Sequence, residues 1–357
     1  MQIINSTPMP ADVTVHTEID GREALVIVVK GTFRISADVK ALRLHEDQQP
    51  LVMADVFYGE PGTSAPKYEV DFAPRKQACD VLLNASAWAP GGRPTQRVPV
   101  GVAIGAWLKA FDVVGDRTWE GGLALHPGPP QPFTSMPITY DRAFGGTDRK
   151  SDNPAKHAAF MPNPVGAGFH KLLKREWVVG TPLPNTEESG QSVDRPEVAY
   201  RPMSFGPIGR HWDPRRAYAG TYDQHWIDEV FPFLPADFDD RYFQAAPTDQ
   251  QVPKPLGEQR VTLLNLTPDG RRDFVIPAID APIVVFPKRG GREDLAGLLD
   301  TVVIEPDADR VALTWRATRP LKRSIFEIAQ VHVGRQSRVW TGHGNGAAEL
   351  VQAAPNR

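Results

Sequence analysis

Short apolar runs separated by turn sequences recur along the chain, and the clearest pair lies near its start. Residues 13–19 alternate apolar with polar positions, and residues 23–35 are apolar in their first half and alternating in their second. Alternation of period two is typical of a half-buried strand. Between the runs, Asp20–Gly21 suits the positive φ of a two-residue hairpin turn. The pattern predicts a β-hairpin over 13–35.

The same signals recur later in the chain and predict an all-β arrangement. They indicate paired strands over 98–116 closed by Gly115–Asp116, hairpins over 260–277 and 301–317, and a strand over 325–333. No helical crossover of 10–15 residues separates these strands, so antiparallel sheets are expected. The predicted fold class is mainly β, with antiparallel β-sandwich or barrel-like sheets, long ordered loops and one or two short helices.

The middle of the chain departs from this strand pattern. Residues 126–220 are rich in proline, glycine and aromatic residues and show little periodicity, which predicts ordered loops rather than disorder. Tyr222, Trp226 and Val230 then fall at i, i+4 and i+8, which predicts a short helix capped by Thr221 and ended by Pro232. A second short helix is predicted over 237–243.

This organisation predicts three regions and a tail. Residues 1–125 form an N-terminal antiparallel β region, 126–250 a loop-rich segment with short helices, and 251–340 a C-terminal β region that packs on the first. Residues 341–357 are small and polar and predict a flexible tail. One composite domain over 1–340 is the alternative.

Composition narrows the possible partners. The chain has 357 residues, with 40 Lys+Arg against 43 Asp+Glu, so a long-range attraction to nucleic acid is not expected. Its apolar runs are far shorter than the ~20 residues that a membrane helix needs. The single cysteine, Cys79, lies in an apolar run and is expected to be a small buried residue. The start of the chain lacks a secretory-signal pattern. We therefore expect a cytoplasmic protein that contacts neither nucleic acid nor membrane.

Two glycine-rich stretches are the first candidates for a functional surface. Each sets glycines beside an aromatic residue, and the glycines permit positive φ or a close backbone approach. The stretches are expected to be tight loops pinned by buried phenylalanines, and a rigid loop surface shaped for a protein partner is the alternative. A phosphate-binding loop is disfavoured because no Lys-Ser/Thr follows the glycines. The candidate residues are Phe144, Gly145, Gly146 and Asp148 in one stretch and Asn163, Gly166, Gly168 and Phe169 in the other.

The predicted helix supplies the second group of candidates, Tyr222, Asp223 and Trp226. An aromatic stripe at helical spacing is more often core than surface, so Trp212, Trp226 and Phe231 are expected to be buried. An exposed docking face is the alternative.

Signatures of enzymes and metal sites are mostly missing from the sequence. No HExxH, GxSxG or paired CxxC motif occurs, so no catalytic residue, metal or cofactor is predicted. Asp223 and His225 are two residues apart on the helix and face different directions. Asp237, Asp239 and Asp240 could supply the carboxylate pair of a glycoside hydrolase, but caps and solvated faces are the more common use of such clusters.

Several stretches together resemble one bacterial family. They are ALVIVVKGTF from Ala24, YDRAFGGTD from Tyr140, MPNPVGAGF from Met161, the long run from Gly220 to Gln251, LNLTPDG from Leu264 and the hairpin from Thr301 to Arg316. Their order and spacing resemble an uncharacterised bacterial domain family associated with type VI secretion. Gln244 stands where that family's pattern has asparagine.

The resemblance implies a function without implying a catalytic site. Members of the family are encoded beside genes for the secretion spike and for effectors, and the family has no established catalytic residues. The chain is therefore expected to be a chaperone-like adaptor that binds a toxic effector and helps to load it onto the spike. The alternatives are a carbohydrate-active hydrolase that uses an Asp pair, and a structural component of the secretion or tail apparatus.

Overall fold

The computed structural model describes residues 1–36, 41–254 and 256–334, and most of its regular structure is β. The predicted tail, 341–357, lies outside the described residues. The strands are β1 Gln2–Asn5, β2 Ala11–Thr17, β3 Glu23–Arg34, β4 Arg43–Leu44, β5 Val56–Phe57, β6 Pro66–Tyr68, β7 Cys79–Leu83, β8 Ala85–Trp88, β9 Arg97–Ile104, β10 Trp107–Val114, β11 Trp119–Gly121, β12 Leu125–Pro127 and β13 Ser135–Ile138. They continue with β14 Phe144–Gly145, β15 Thr147–Asp148, β16 Ala158–Ala159, β17 Ala167–Gly168, β18 Thr186–Glu187, β19 Gln251–Val252, β20 Arg260–Leu264, β21 Arg271–Val275, β22 Ala281–Pro287, β23 Glu293–Glu305, β24 Arg310–Pro320 and β25 Ile328–Val333.

Helical structure is limited to segments of one or two turns in the described residues. One α-helical turn spans Arg175–Val178 and one π-helical turn spans Trp226–Val230. The 3₁₀ turns are Pro90–Gly92, Tyr140–Arg142, Pro154–Lys156, Arg215–Ala219, Asp240–Phe243, Thr248–Gln250, Pro306–Ala308 and Ile325–Glu327. The predicted mainly-β fold class is confirmed. No helix among the described residues has both the length and the apolar character needed to cross a bilayer.

Two sheets enclose the main core. The larger sheet has the order β1-β25-β22-β23-β24-β3-β2, with β4, β7 and β19 joined off this path, and it curves into a nearly closed barrel. The second sheet has the order β18-β10-β9-β20-β21. Alternate residues of both sheets meet in one apolar cluster, with Leu25, Ile27 and Trp315 from the first and Val100 and Phe274 from the second. Sheets that bury one face against each other in this way form a sandwich.

The predicted hairpins are present, with two corrections to their turns. The β2–β3 hairpin closes through the three-residue loop 19–21, with Glu18 donating its N–H to the Arg22 carbonyl oxygen at 2.8 Å, rather than through a two-residue turn. Strands β9 and β10 are joined at Gly105, which has a φ of +57°, and Gly115 instead follows the second strand. The β20–β21 and β23–β24 pairs form as expected.

Three strand pairs are parallel, although antiparallel sheets were expected throughout. β1 pairs with β25, β7 pairs with β23, and β14 pairs with β17. None of these pairs is joined by a hairpin turn, so no local turn fixes the direction of either partner. Local strand patterns therefore predicted the hairpins but not these long-range pairings.

Both predicted helices begin later in the chain than expected, each after a side-chain cap. The cap of the first is Asp223, whose carboxylate accepts the N–H of Trp226 at 2.9 Å, whereas the expected cap Thr221 donates to Asp237. The second spans only Asp240–Phe243, with Asp239 as its cap.

A buried layer of charged residues covers the outer face of the larger sheet. Lys30 of β3 contacts Asp71 at 2.9 Å, and Arg316 of β24 donates to the Asp71 carbonyl oxygen at 2.6 Å. The Asp71 carboxylate also accepts the N–H of Val52 at 2.7 Å. These contacts hold the segment 50–76 across the sheet, so that even the outward-facing side chains of β3 are buried.

Asp80 on β7 is the most heavily used residue of this layer. Its fully buried carboxylate contacts Lys76 at 2.6 Å and accepts hydrogen bonds from the Gln244 side chain at 2.7 Å and the Ala245 N–H at 2.8 Å. Gln244, the departure from the family pattern, therefore joins the 240s loop to the sheet. The neighbouring Cys79 is buried as predicted, and its burial raises the pKa of the thiol.

We expect Asp80→Ala to lower the free energy of unfolding by about 3 kcal/mol, because the buried Lys76 ammonium would lose its 2.6 Å partner and keep only Glu69 at 3.9 Å. Urea-induced unfolding followed by circular dichroism measures this loss. Asp47→Ala, which removes an exposed carboxylate, is the matched control and should change stability by less than about 0.5 kcal/mol. An equal effect of the two substitutions would contradict the structural role of the buried layer.

Candidate functional site

The two glycine-rich stretches fold together into one compact loop unit. Strand β14 pairs in parallel with β17, so that Phe144 lies opposite Ala167 and Gly145 lies opposite Gly168. The Phe169 N–H donates to the Gly145 carbonyl oxygen at 3.0 Å. Motifs separated by about twenty residues in the sequence are therefore hydrogen-bonded neighbours.

The glycines of this unit are required by close backbone approaches. Gly145 has a φ of +148°, and a Cβ atom there would lie 2.1 Å from the Asn163 carbonyl oxygen. At Gly166 a Cβ atom would lie 2.4 Å from the Ala143 carbonyl oxygen. Side chains other than glycine would push the two loops apart, which supports the interpretation of these motifs as tight loops.

Two polar side chains satisfy the backbone of the unit. The fully buried Asn163 amide donates to the carbonyl oxygens of Tyr140 and Phe144 at 2.8 and 3.0 Å. Asp148 accepts the backbone N–H groups of Lys150, Lys171 and Leu172 at 2.9–3.1 Å. Desolvation raises the pKa of Asp148, but these three donors outweigh it and hold the pKa below its usual value.

The aromatic residues of the unit form a second core. Phe144 is buried, and its ring packs edge-on against Phe160 at 5.2 Å and Tyr200 at 5.3 Å between ring centroids. Phe169 is half-buried and contacts Phe160 at 5.6 Å. A buried ring is not available to a partner, so Phe144 shapes the loops and does not itself form a docking surface.

The aromatic residues of the 222–233 segment lie on the surface, which corrects the expectation of a buried stripe. Trp212 is buried, but Trp226 is only half-buried and the residues around it are exposed. The exposed patch consists of Trp226 with Tyr222 (51% exposed), Ile227 (56%), Phe231 (66%) and Phe233 (43%). The i, i+4 spacing was correct, but a helix of barely two turns has too little surface to bury all of its apolar residues.

The exposed patch is held in a defined shape. The Trp226 ring contacts Tyr222 at 4.7 Å and Phe231 at 5.5 Å, both edge-on, and its indole N–H donates to the Phe233 carbonyl oxygen at 2.9 Å. The Asp223 cap fixes the start of the turn. Tyr222, Asp223 and Trp226 are thus brought together, as their candidate role requires, while the candidates of the loop unit lie in a separate cluster.

The exposed patch carries a marked excess of negative charge. Between residues 221 and 240 the chain has six Asp and Glu residues and no Lys or Arg. Within the described part of the chain, four of these carboxylates form no ion pair: Asp223, Asp228, Glu229 and Asp237. The interleaving of acidic with aromatic residues in the sequence was the signal that could have identified this surface in advance.

The predicted carboxylate pair is used in local structure. Asp237 accepts hydrogen bonds from Thr221 and Asp239 from Arg241, and these side-chain bonds lower the pKa of both carboxyls. Asp240 pairs with Arg75. A glycoside hydrolase needs one carboxyl whose pKa is raised so that it can donate a proton. The geometry of this cluster instead agrees with caps and ion pairs.

A groove of about 420 Å³ lies beside β23 and β24. Its walls are mainly apolar, and its polar end holds Glu305, Arg310 and Tyr68. Arg310 contacts Glu305 at 2.6 Å, and Tyr68 donates to the same carboxylate. Because these polar groups already bond to one another, few of them are left to bind a ligand. The exposed patch is therefore the better candidate for a binding site.

We expect Gly145→Ala to destabilise the fold by about 2 kcal/mol or more beyond Gly180→Ala, because only the first creates a backbone clash. Gly180 also has positive φ (+81°), but nothing lies within 4 Å of the position of its Cβ. The control therefore isolates the close approach from the positive φ. Thermal unfolding of both variants tests this, and equal losses would contradict the tight-loop interpretation.

Comparison with known proteins assigns the chain to a family. Neither the curated proteins nor the solved structures contain a significant match. A family model described as "Uncharacterized protein conserved in bacteria (DUF2169)" matches residues 20–316, which include most of both sheets, the loop unit and the exposed patch. On this match, the chain belongs to the bacterial family DUF2169.

Proposed function

We propose that the protein is an accessory protein of type VI secretion, which binds a toxic effector in the cytoplasm and helps to load it onto the spike. The resemblance of its motifs to proteins encoded beside spike and effector genes supplies the biological setting. The exposed patch supplies the contact surface.

The exposed patch is the observation that carries this proposal. Clustered aromatic side chains in water lose the free energy that burial would give, so a contiguous apolar patch of this kind commonly marks a binding site. Tryptophan and tyrosine are the residues most often found to dominate the energy of protein interfaces. Trp226 lies between Tyr222 and Phe231, in the position expected of a central anchor.

The defined shape of the exposed patch adds to this argument. The Asp223 cap and the Trp226–Phe233 hydrogen bond fix the aromatic rings before a partner arrives. A surface that is already ordered loses less conformational entropy on binding, so more of the burial energy appears as affinity. This is what an adaptor needs if it is to hold an effector through repeated rounds of loading.

We expect Trp226→Ala to weaken capture of the neighbouring effector by about 2 kcal/mol or more, the magnitude of a central aromatic anchor. The measurement is co-purification from the native host with mass spectrometry, followed by titration calorimetry on the isolated pair. Leu123→Ala is the control, because Leu123 is fully exposed in the β11–β12 turn outside the patch. The proposal fails if the wild-type protein retains no neighbouring effector or spike protein, or if the two variants bind equally.

The negative charge around the exposed patch predicts a kinetic effect. Asp228→Asn with Glu229→Gln should slow association with an effector whose contact surface is basic, and should reduce the salt dependence of the rate, since complementary interface charges act mainly on association. Glu46→Gln with Asp47→Asn is the matched control: both residues are exposed near the other end of β3, about 35 Å away at the rise of a strand. Stopped-flow mixing at several salt concentrations measures the rates. Equal slowing by both pairs would refute a local electrostatic role.

A further inference from the structure

Strand β2 is an edge of the larger sheet. Among the described strands it pairs with β3 alone, in antiparallel register. The Lys30 N–H donates to the Pro10 carbonyl oxygen, and the Glu18 N–H to the Arg22 carbonyl oxygen, so the even-numbered positions between them form the hydrogen-bonded pairs. The N–H and C=O groups of the odd-numbered residues, from Ala11 to Thr17, therefore face away from the sheet.

This edge lacks most of the features that prevent strand addition. The register of β2 against β3 has no bulge, and the strand contains no proline, lysine or arginine. Val13 is the exception, because the Asp12 carboxylate accepts its N–H at 2.8 Å. In the described part of the chain, the outward N–H groups of Val15 and Thr17 have no such acceptor. A regular, unprotected edge strand is a template for another strand.

The edge also adjoins the exposed patch. Phe233 lies against the turn that ends the β2–β3 hairpin, since a Cβ atom at Gly21 would be 3.3 Å from Cε1 of its ring. Near the same end, Val15 and Ile19 are exposed apolar residues. A partner that covers the exposed patch therefore lies next to the free edge of β2.

We propose that a partner protein adds an extended, basic segment to the free edge of β2 and continues it over the exposed patch. This deepens the proposed function and rests on it for the identity of the partner, the effector. Backbone hydrogen bonds to Val15 and Thr17 hold the segment, and alternate side chains contact the exposed apolar residues at the end of the hairpin.

Charge identifies the added segment as basic. Glu18 pairs with Arg75 and Asp20 with Arg22, so the uncompensated negative charge beside the edge comes from Asp12 and from the unpaired carboxylates of the exposed patch. A second copy of β2 in this position would place acidic strands side by side, which is unfavourable for directly opposed like charges. Lysine or arginine at alternate positions of the partner strand would complement both surfaces.

The test uses a synthetic eight-residue peptide in which valine occupies every second position and lysine and threonine share the positions between. We expect it to bind, and to slow hydrogen exchange at the amides of Val15 and Thr17. A peptide with glutamate in place of lysine should bind at least about tenfold more weakly, because it loses the charge complementarity. A peptide that is N-methylated on the pairing edge should be weakened as much, because it loses the backbone hydrogen bonds. The N-methylated peptide tests strand pairing without any change to the protein.

Variants of β2 provide the second arm. Val15→Pro removes an outward N–H, a position that an edge strand tolerates, and should weaken peptide binding about tenfold. Val15→Thr keeps the N–H and the branched side chain and should bind within about twofold of the wild type. The proposal is overturned if the lysine peptide does not bind, if Val15 and Thr17 gain no protection, or if light scattering shows self-association through this edge instead.

Effector capture separates this inference from the proposed function. If Trp226→Ala loses the effector while Val15→Pro retains it at wild-type affinity, strand addition is wrong and the adaptor function stands. If the wild-type protein captures no effector but the lysine peptide still protects Val15 and Thr17, the strand-accepting edge stands and the adaptor function is wrong.

Discussion

Buried backbone outside helices and strands still needs hydrogen-bond partners, and this fold depends on supplying them. Much of the chain between β10 and β19 is loop, and buried N–H and C=O groups are costly when unpaired. Buried polar side chains supply the missing partners. Gln250 donates to the carbonyl oxygens of Val81 and Phe205 at 2.7 and 2.9 Å, and Asn163 performs the same role for the loop unit. These side chains give the loops fixed shapes.

Charged residues supply partners in the same way on the outer face of the larger sheet. Lys30 and Arg316 of the sheet are buried beneath the segment 50–76, which contributes Asp71, and each of the three is paired with an opposite charge or a backbone group. Buried pairs of this kind add little net stability compared with apolar packing, but a broken pair is strongly unfavourable. The arrangement therefore favours one position of the covering segment and leaves few alternatives.

The exposed patch is unusual among the ordered loops of the middle region. Phe144 and Trp212 of the middle region are buried in apolar clusters, yet Tyr222 and Phe231 remain exposed on a short capped turn. The free edge of β2 ends at the β2–β3 turn, against which Phe233 of the exposed patch lies. Apolar surface, unpaired backbone groups and negative charge thus occur together, and each favours the same kind of partner, an extended basic segment of another protein.

The sequence by itself determined the local features of this protein. Period-two alternation and turn residues predicted the β2–β3, β20–β21 and β23–β24 hairpins, because their pairing depends on residues close together in the chain. The glycines at 145 and 166 indicated close backbone approach. Tertiary structure alone decided the parallel pairing of β7 with β23 and the exposure of the aromatic residues around Trp226. Each of these depends on which distant segment covers a given face, and a local pattern of apolar residues carries no information about that covering segment.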